Sequence, residues 1–171
     1  MPMGSVASAA IASGHCKEDA MEPQTLGTTT VTQIGIVVDD IEAKARAWAE
    51  ILGLPVPPIR VTDPVEKAQT TWRGQLTPAS AKLAFFPCGQ VSIELIEPIG
   101  EPSTWKEQLD AHGSSLHHIA FVVKGMKDKI ASLEGEGVLL VQKGEYTGGR
   151  YAYLDGVSKL GTVLELLEND P

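Results

Sequence analysis

Four residues of this chain belong to types that hold divalent metals, and they fall into two matched pairs. Gln33 opens Gln33-Ile34-Gly35-Ile36-Val37-Val38, and His118 opens His118-Ile119-Ala120-Phe121-Val122-Val123 in the same register. Glu94 stands in Val91-Ser92-Ile93-Glu94-Leu95-Ile96-Glu97. Glu165 stands in Thr162-Val163-Leu164-Glu165-Leu166-Leu167-Glu168, which also matches Glu97 with Glu168. Each half of the chain thus supplies an opening polar side chain and a closing carboxylate. An imidazole, two carboxylates and an amide oxygen make a donor set for Zn, Ni, Co or Mn, with open positions left to water. Two carboxylates also balance the charge of a divalent ion, which lowers the cost of burying all three charges together.

These residues need strands to aim them. Read with period two, Ser115 to Val123 places Ile119, Phe121 and Val123 on one face and His118, Ala120 and Val122 on the other. The greasy face is expected to meet helices, and His117 with it as a structural residue. The other faces, carrying Gln33, Glu94, His118 and Glu165, are expected to line a concavity, with Gly35 and Ala120 leaving room above a metal for substrate. Glu97 and Glu168 are read as solvent-facing residues near the strand ends.

The remaining elements follow from local chemistry. Asp39 and Asp40 are placed to cap a helix carrying Ile41, Ala45, Trp48 and Leu52, which Gly53 stops and Pro55, Pro57 and Pro58 keep from resuming. From Arg60 to Ala81 the pattern is broken by Pro64, Gly74 and Pro78, so a long loop with a weak strand at Thr70 to Trp72 is expected. Lys82 to Phe86 and Val91 to Glu97 read as a hairpin turning at Pro87-Cys88-Gly89. Thr104 and Glu107 have capping-box spacing for a short helix ending at Gly113. The second half repeats the plan: strand 116–123, a helix with Met126, Ile130 and Leu133, strand Val138 to Val141, a Gly-rich loop Lys143 to Arg150, Tyr151 to Leu154, and a closing strand. Trp48, Trp105, Phe85 and Phe86 are read as packing residues.

The expected class is α+β, with two paired βαβββ modules forming one curved mixed sheet around a cup and helices outside. Residues 1–29 are assigned to a disordered tail, 30–100 to the first module, 101–114 to a linker helix and 115–171 to the second module. One domain spans 30–168.

Composition narrows the function classes. The 171 residues are 43% hydrophobic and 21% charged, as in globular proteins, and no apolar run approaches the roughly 20 residues that cross a bilayer. A net charge of −8 with scattered basic residues gives no footprint for a phosphate backbone, so neither nucleic acid nor membrane is an expected partner. Cys16 and Cys88 have no framework or knuckle spacing, which fits a reducing cytoplasm.

The motifs Ile93-Glu94-Leu95-Ile96-Glu97-Pro98, His117-His118-Ile119-Ala120-Phe121 and Val163-Leu164-Glu165-Leu166 resemble the vicinal oxygen chelate superfamily, which spans glyoxalases, bleomycin resistance proteins and dioxygenases. The similarity is greatest to its methylmalonyl-CoA epimerase branch and covers about residues 31–168. It implies paired βαβββ modules, a homodimer, and a divalent metal held by Gln33, Glu94, His118 and Glu165. Epimerases of the family usually carry histidine where this chain has Gln33, whereas some glyoxalase I enzymes share the Gln, Glu, His, Glu set. A catalytic glutamate found in some epimerases has no counterpart at Lys82 or Leu83, and the glyoxalase turn is replaced by Asp155 to Gly161.

Both branches use the metal as a Lewis acid that stabilises an enolate while a carboxylate moves the proton. Glu165 is the first candidate base and Glu94 the second, with Lys82, Lys143 and Arg150 as candidate anion contacts at the rim. The expected activity is an isomerase or epimerase acting on a small acyl substrate, possible forms being a CoA or a glutathione thioester. A lactoylglutathione lyase of the glyoxalase I type and a metal-free binding protein of the antibiotic-resistance type remain open. A ring-cleaving dioxygenase fits less well, since its triad needs two histidines and only His118 is suitably placed.

Overall fold

The computed structural model describes residues 25–171. Residues 1–24, most of the expected tail, lie outside the described residues.

β1 (Gln33–Val37) alternates buried and half-buried positions and leads into α1 (Ile41–Leu52). The Asp40 carboxylate accepts from the Ala43 N–H at 2.9 Å, and Gly53 closes the helix at φ 65°, where a glycine meets no Cβ penalty. Next come β2 (Arg60–Val61), α2 (Val65–Ala68), β3 (Thr71–Trp72), β4 (Gln75–Leu76), β5 (Ser80–Cys88) and β6 (Val91–Ile99). α3 (Thr104–His112) starts one residue past its cap, which is Ser103 accepting from the Lys106 N–H. The second module is β7 (Ser115–Val122), α4 (Met126–Gly135), β8 (Leu139–Tyr146), β9 (Gly149–Asp155), a short α5 (Val157–Leu160) and β10 (Val163–Asn169).

The ten strands form one mixed, curled sheet in the order β2-β5-β6-β1-β7-β10-β9-β8-β3-β4. β1 and β7 meet antiparallel at its centre, and each has its own module's closing strand, β6 or β10, parallel on its far side. This is the expected α+β arrangement of two βαβββ units in a half-barrel. The interrupted segment after Arg60 departs from a plain loop. β3 and β4 form a hairpin that pairs through β3 with β8, at the opposite edge of the sheet from β2. Residues 62–70 therefore bridge the two edges. The weak strand expected at Thr70 to Trp72 is β3, whereas its pairing with the other half and the β4 partner lie beyond what periodicity registers.

The Gly-rich stretch is likewise strand rather than loop. β8 and β9 pair from Leu139↔Asp155 to Tyr146↔Gly149, leaving only Thr147 and Gly148 in the turn. Gly144 is tolerated there because the Tyr151 ring occupies the place of its side chain: a Cβ would lie 2.7 Å from the ring.

Two apolar clusters hold helices on the convex face. Ile41, Ala45 and Ala49 of α1 pack with Ala84, Phe86 and Leu95, and Met126 and Leu133 of α4 pack with Phe121, Ala152, Leu164 and Leu166. Leu26 and Val31 join the α4 cluster, so the chain is already packed before residue 30. Each fully buried Ile, Leu, Phe or Met of these clusters contributes about 1.5–3 kcal/mol relative to exposure. A third cluster lies on the concave face, where Trp105 of α3 packs with Val37, Ala81, Ile96 and Tyr153. The linker helix is thus not outside: Trp105 closes one end of the cup, its indole N–H donating to Tyr153 Oη at 3.1 Å.

Candidate metal centre

Strand register assembles the four candidate ligands around two small residues. Gly35 is opposite Glu94 on β6 and His118 on β7, while Ala120 is opposite Gln33 on β1 and Glu165 on β10. All four larger side chains consequently project from the same concave patch. They are buried, His118 to 1% exposure, Glu165 to 3%, Glu94 to 5% and Gln33 to 8%. His118 Nε2 lies 3.0 Å from Glu165 Oε2 and 3.5 Å from Glu94 Oε2. Among the described residues, Glu94, His118 and Glu165 are the one group of histidine, cysteine or carboxylate ligands whose donor atoms lie within 4.8 Å of one another.

None of these three atoms makes a properly aligned hydrogen bond. A buried polar atom left so costs about 1–3 kcal/mol, and more when charged. Three orphaned donors converging on one point fit a divalent ion, with Gln33 beside Glu94 as the fourth candidate.

The electrostatics of the protein alone follow from the same crowding. Burial pushes the Glu94 carboxyl up; His118 opposes this, Glu165 adds to it, and the Gln33 amide opposes it. Burial would depress His118, but the charge and close approach of Glu165, followed by those of Glu94, outweigh it and push the ring up to about 10. Burial, and then the charge of His118, drive His117 down to about 3. Burial pushes Tyr151 up to about 12 and Tyr153 well above the ordinary phenol range, so both are neutral donors at the site.

A cavity of about 460 Å³ opens above this patch. Gln33, Glu94 and Glu165 form its floor, Phe85, Trp105, Tyr151 and Tyr153 its aromatic walls, with buried Thr70 beside them, and Arg60 and Thr62 part of its mouth. Such a volume suits a small organic group. The aromatic residues expected to serve packing alone therefore also shape the cavity, in the case of Phe85 and Trp105.

The expected anion contacts stand elsewhere. Lys82, Lys143 and Arg150 are absent from the cavity lining because each alternates onto the convex face. Lys82 donates to Glu97 at 2.7 Å, and Glu97 in turn accepts the Ile41 N–H at 2.8 Å. Arg150 donates to Glu168 at 3.1 Å, and Glu168 accepts the Gly125 and Met126 N–H groups. Glu97 and Glu168, expected to face solvent, thus hold the starts of α1 and α4, each steadied by a cation. Lys143 pairs in register with Thr71 and Ala152 and borders the outside of the sheet near α4. The cation at the cavity is Arg60, which sequence reasoning missed. It sat in the aperiodic stretch, where nothing fixed the face it would take.

His117 is also not where alternation put it. Ile36 pairs with Leu116 while Gly35 pairs with His118, so β7 carries an extra residue at His117. This bulge turns His117 to the same side as His118, with their rings 5.3 Å apart and Tyr153 about equally close to both.

Comparison with known proteins agrees with this architecture. The uncharacterized protein YqjC of Bacillus subtilis (strain 168) is 32% identical over 89 residues, which are 50% of this chain and 64% of that protein. The chain thus matches less than two thirds of that relative's length. A hypothetical protein from Bacillus halodurans superposes with a TM-score of 0.59 at 24% identity, covering 82% of this chain and 94% of that one. Methylmalonyl-CoA epimerase from Mycobacterium tuberculosis gives 0.59 at 20% identity, covering 86% and 91%. A methylmalonyl-CoA epimerase in complex with methylmalonyl-CoA and NH4+ gives 0.56 at 19%, covering 82% and 94%. At these identities the structural likeness speaks for the fold. The sequence itself matches the family of the Glyoxalase/Bleomycin resistance protein/Dioxygenase superfamily over residues 32–153, most of the described chain, and to that superfamily this protein belongs.

Proposed function

We propose that this protein is a divalent-metal-dependent isomerase or epimerase that moves a proton on the carbon beside the carbonyl of a small acyl substrate. The observation that carries the reading is the convergence of Glu94 Oε2, His118 Nε2 and Glu165 Oε2, buried and unpartnered, at the floor of a cavity. A divalent ion held there by these residues and Gln33 would supply Lewis-acid polarisation of the carbonyl.

The chain's own groups supply the remainder. Glu165 is the base: its carboxylate borders the cavity, while Glu94 has the Gln33 amide beside it. Glu94 is the second candidate. Phe85, Trp105, Tyr151 and Tyr153 exclude water from the acyl group, which strengthens every charge interaction at the floor. A thioester fits because its α-proton is acidic enough for carboxylate chemistry, and a related fold binds methylmalonyl-CoA.

Metal analysis of wild type beside His118→Ala, followed by solvent deuterium incorporation into methylmalonyl-CoA, tests the proposal. The expected result is about one equivalent of transition metal, lost in the variant, with exchange that depends on it. Metal without thioester exchange, but with turnover of a glutathione hemithioacetal, would move the assignment to the glyoxalase I type. A protein that cannot be loaded with metal and exchanges no proton would be a binding protein instead.

A further inference from the structure

The bulge in β7 places His117 Nδ1 3.0 Å from His118 Nδ1, with the two rings nearly perpendicular at 84°. Two neutral or singly shared ring nitrogens at that distance hold one hydrogen between them, so one ring donates and the other accepts. The choice decides what His118 offers on its far side. If His118 Nδ1 carries the hydrogen, Nε2 presents a lone pair toward Glu94 and Glu165. If His117 donates instead, His118 must carry its hydrogen on Nε2 and cannot ligate through it.

We infer that His117 is a positioning residue: by accepting the His118 Nδ1 hydrogen it fixes the tautomer whose Nε2 lone pair enters the cup. The inference rests on the proposed metal site and extends it to a residue outside the ligand set. Three features make His117 suited to the task. It is 3% exposed, so water does not compete for Nδ1. Tyr153 stacks edge-on against it at 5.1 Å and restricts the ring's rotation. The bulge is what brings it there, since in an unbroken strand adjacent side chains point to opposite faces. With Nδ1 accepting, the ring's own hydrogen sits on Nε2, and the Thr104 backbone carbonyl is the acceptor beside the ring.

The test compares His117→Asn, whose side-chain oxygen can replace Nδ1 as acceptor, with His117→Phe, which keeps bulk and aromatic packing but cannot accept. Zinc affinity is measured by calorimetry, and two-bond proton–nitrogen correlation spectra report the His118 tautomer in zinc-loaded protein. The expected result is a loss of about 10–100-fold in zinc affinity for His117→Phe and recovery to near wild type for His117→Asn. Wild-type His118 should show a protonated Nδ1 and a metal-bound Nε2, a readout that stands even if the phenylalanine variant does not fold. Equal zinc affinity in folded His117→Phe, failure of both folded variants alike, or a His118 bound through Nδ1 would overturn the role while leaving the metal site in place. Wild type that binds no zinc would remove the proposed function itself, and this role with it.

Discussion

Gly35 and His118 face one another across β1 and β7, and the imidazole fills the space where a side chain at position 35 would begin. A Cβ there would lie 2.0 Å from His118 Cε1, 2.4 Å from Nδ1 and 2.5 Å from Nε2. Gly35→Ala must therefore expel the ring or spread the two central strands. Overpacking of this kind costs about 1–3 kcal/mol, so the fold should survive with a lowered Tm. Zinc affinity should fall by more than tenfold, because Nε2 can no longer meet Glu94 and Glu165. Thermal unfolding and calorimetry on the same preparation check both; a folded variant with unchanged zinc binding would show that His118 is not a ligand.

That pair also marks how far the sequence could be read. Register matching between Gln33 and His118, and between Glu94 and Glu165, located the four cup residues, since a strand's alternation carries a whole set of side chains to one face. The same reading took Gly35 as room for substrate, whereas the room is taken by His118 itself. Alternation failed at His117 because a bulge depends on how two strands pair. Lys82 pairs in register with Glu97 and Arg150 with Glu168, which puts all four on the convex face, a relation that shows only when neighbouring strands are read together. Arg60 was illegible because β2 is two residues long and its face is set by β5.

Glu168 gives a pH signature. Burial would raise its carboxyl, but the Gly125 and Met126 N–H groups, together with Arg150, outweigh this and hold it below its ordinary value of 4.5. A depressed carboxylate adds stability that is complete above the unfolded value and is lost as pH falls through the folded one. Glu168→Gln should lower stability at pH 7 by about 1 kcal/mol, the scale of a helix cap, while the gap to wild type narrows below about pH 4.5. Urea unfolding at pH 7 and pH 3.5 measures it; a gap independent of pH would assign the loss to packing alone.

Glu165 and Glu94 should separate as bases when each is changed to Gln. The substitution keeps shape and removes the proton acceptor. At saturating zinc, Glu165→Gln should slow solvent deuterium incorporation by about 10²–10⁴-fold, the usual contribution of a positioned base. Glu94→Gln should weaken zinc binding and slow exchange less, since Glu94 is the carboxylate held by Gln33. The reverse order would exchange their roles, and exchange untouched in both would put the base elsewhere.

Arg60 is the remaining lever, on substrate choice. It lines the cavity and is exposed, and among the described residues it forms no ion pair. The floor beneath carries Glu94 and Glu165, so an anionic group on the substrate is repelled from the floor and drawn to the mouth. An acyl thioester with a distal carboxylate or phosphate would then bind with its carbonyl inward and its charge at Arg60. Because Arg60 is solvated, the interaction is worth only about 1 kcal/mol, which corresponds to roughly fivefold in affinity. Arg60→Gln should raise KM for an anionic thioester by about that factor with kcat little changed, and the effect should shrink in high salt. A neutral thioester of equal size should not notice the substitution. An equal rise in KM for both substrates would mean that Arg60 shapes the mouth without reading charge.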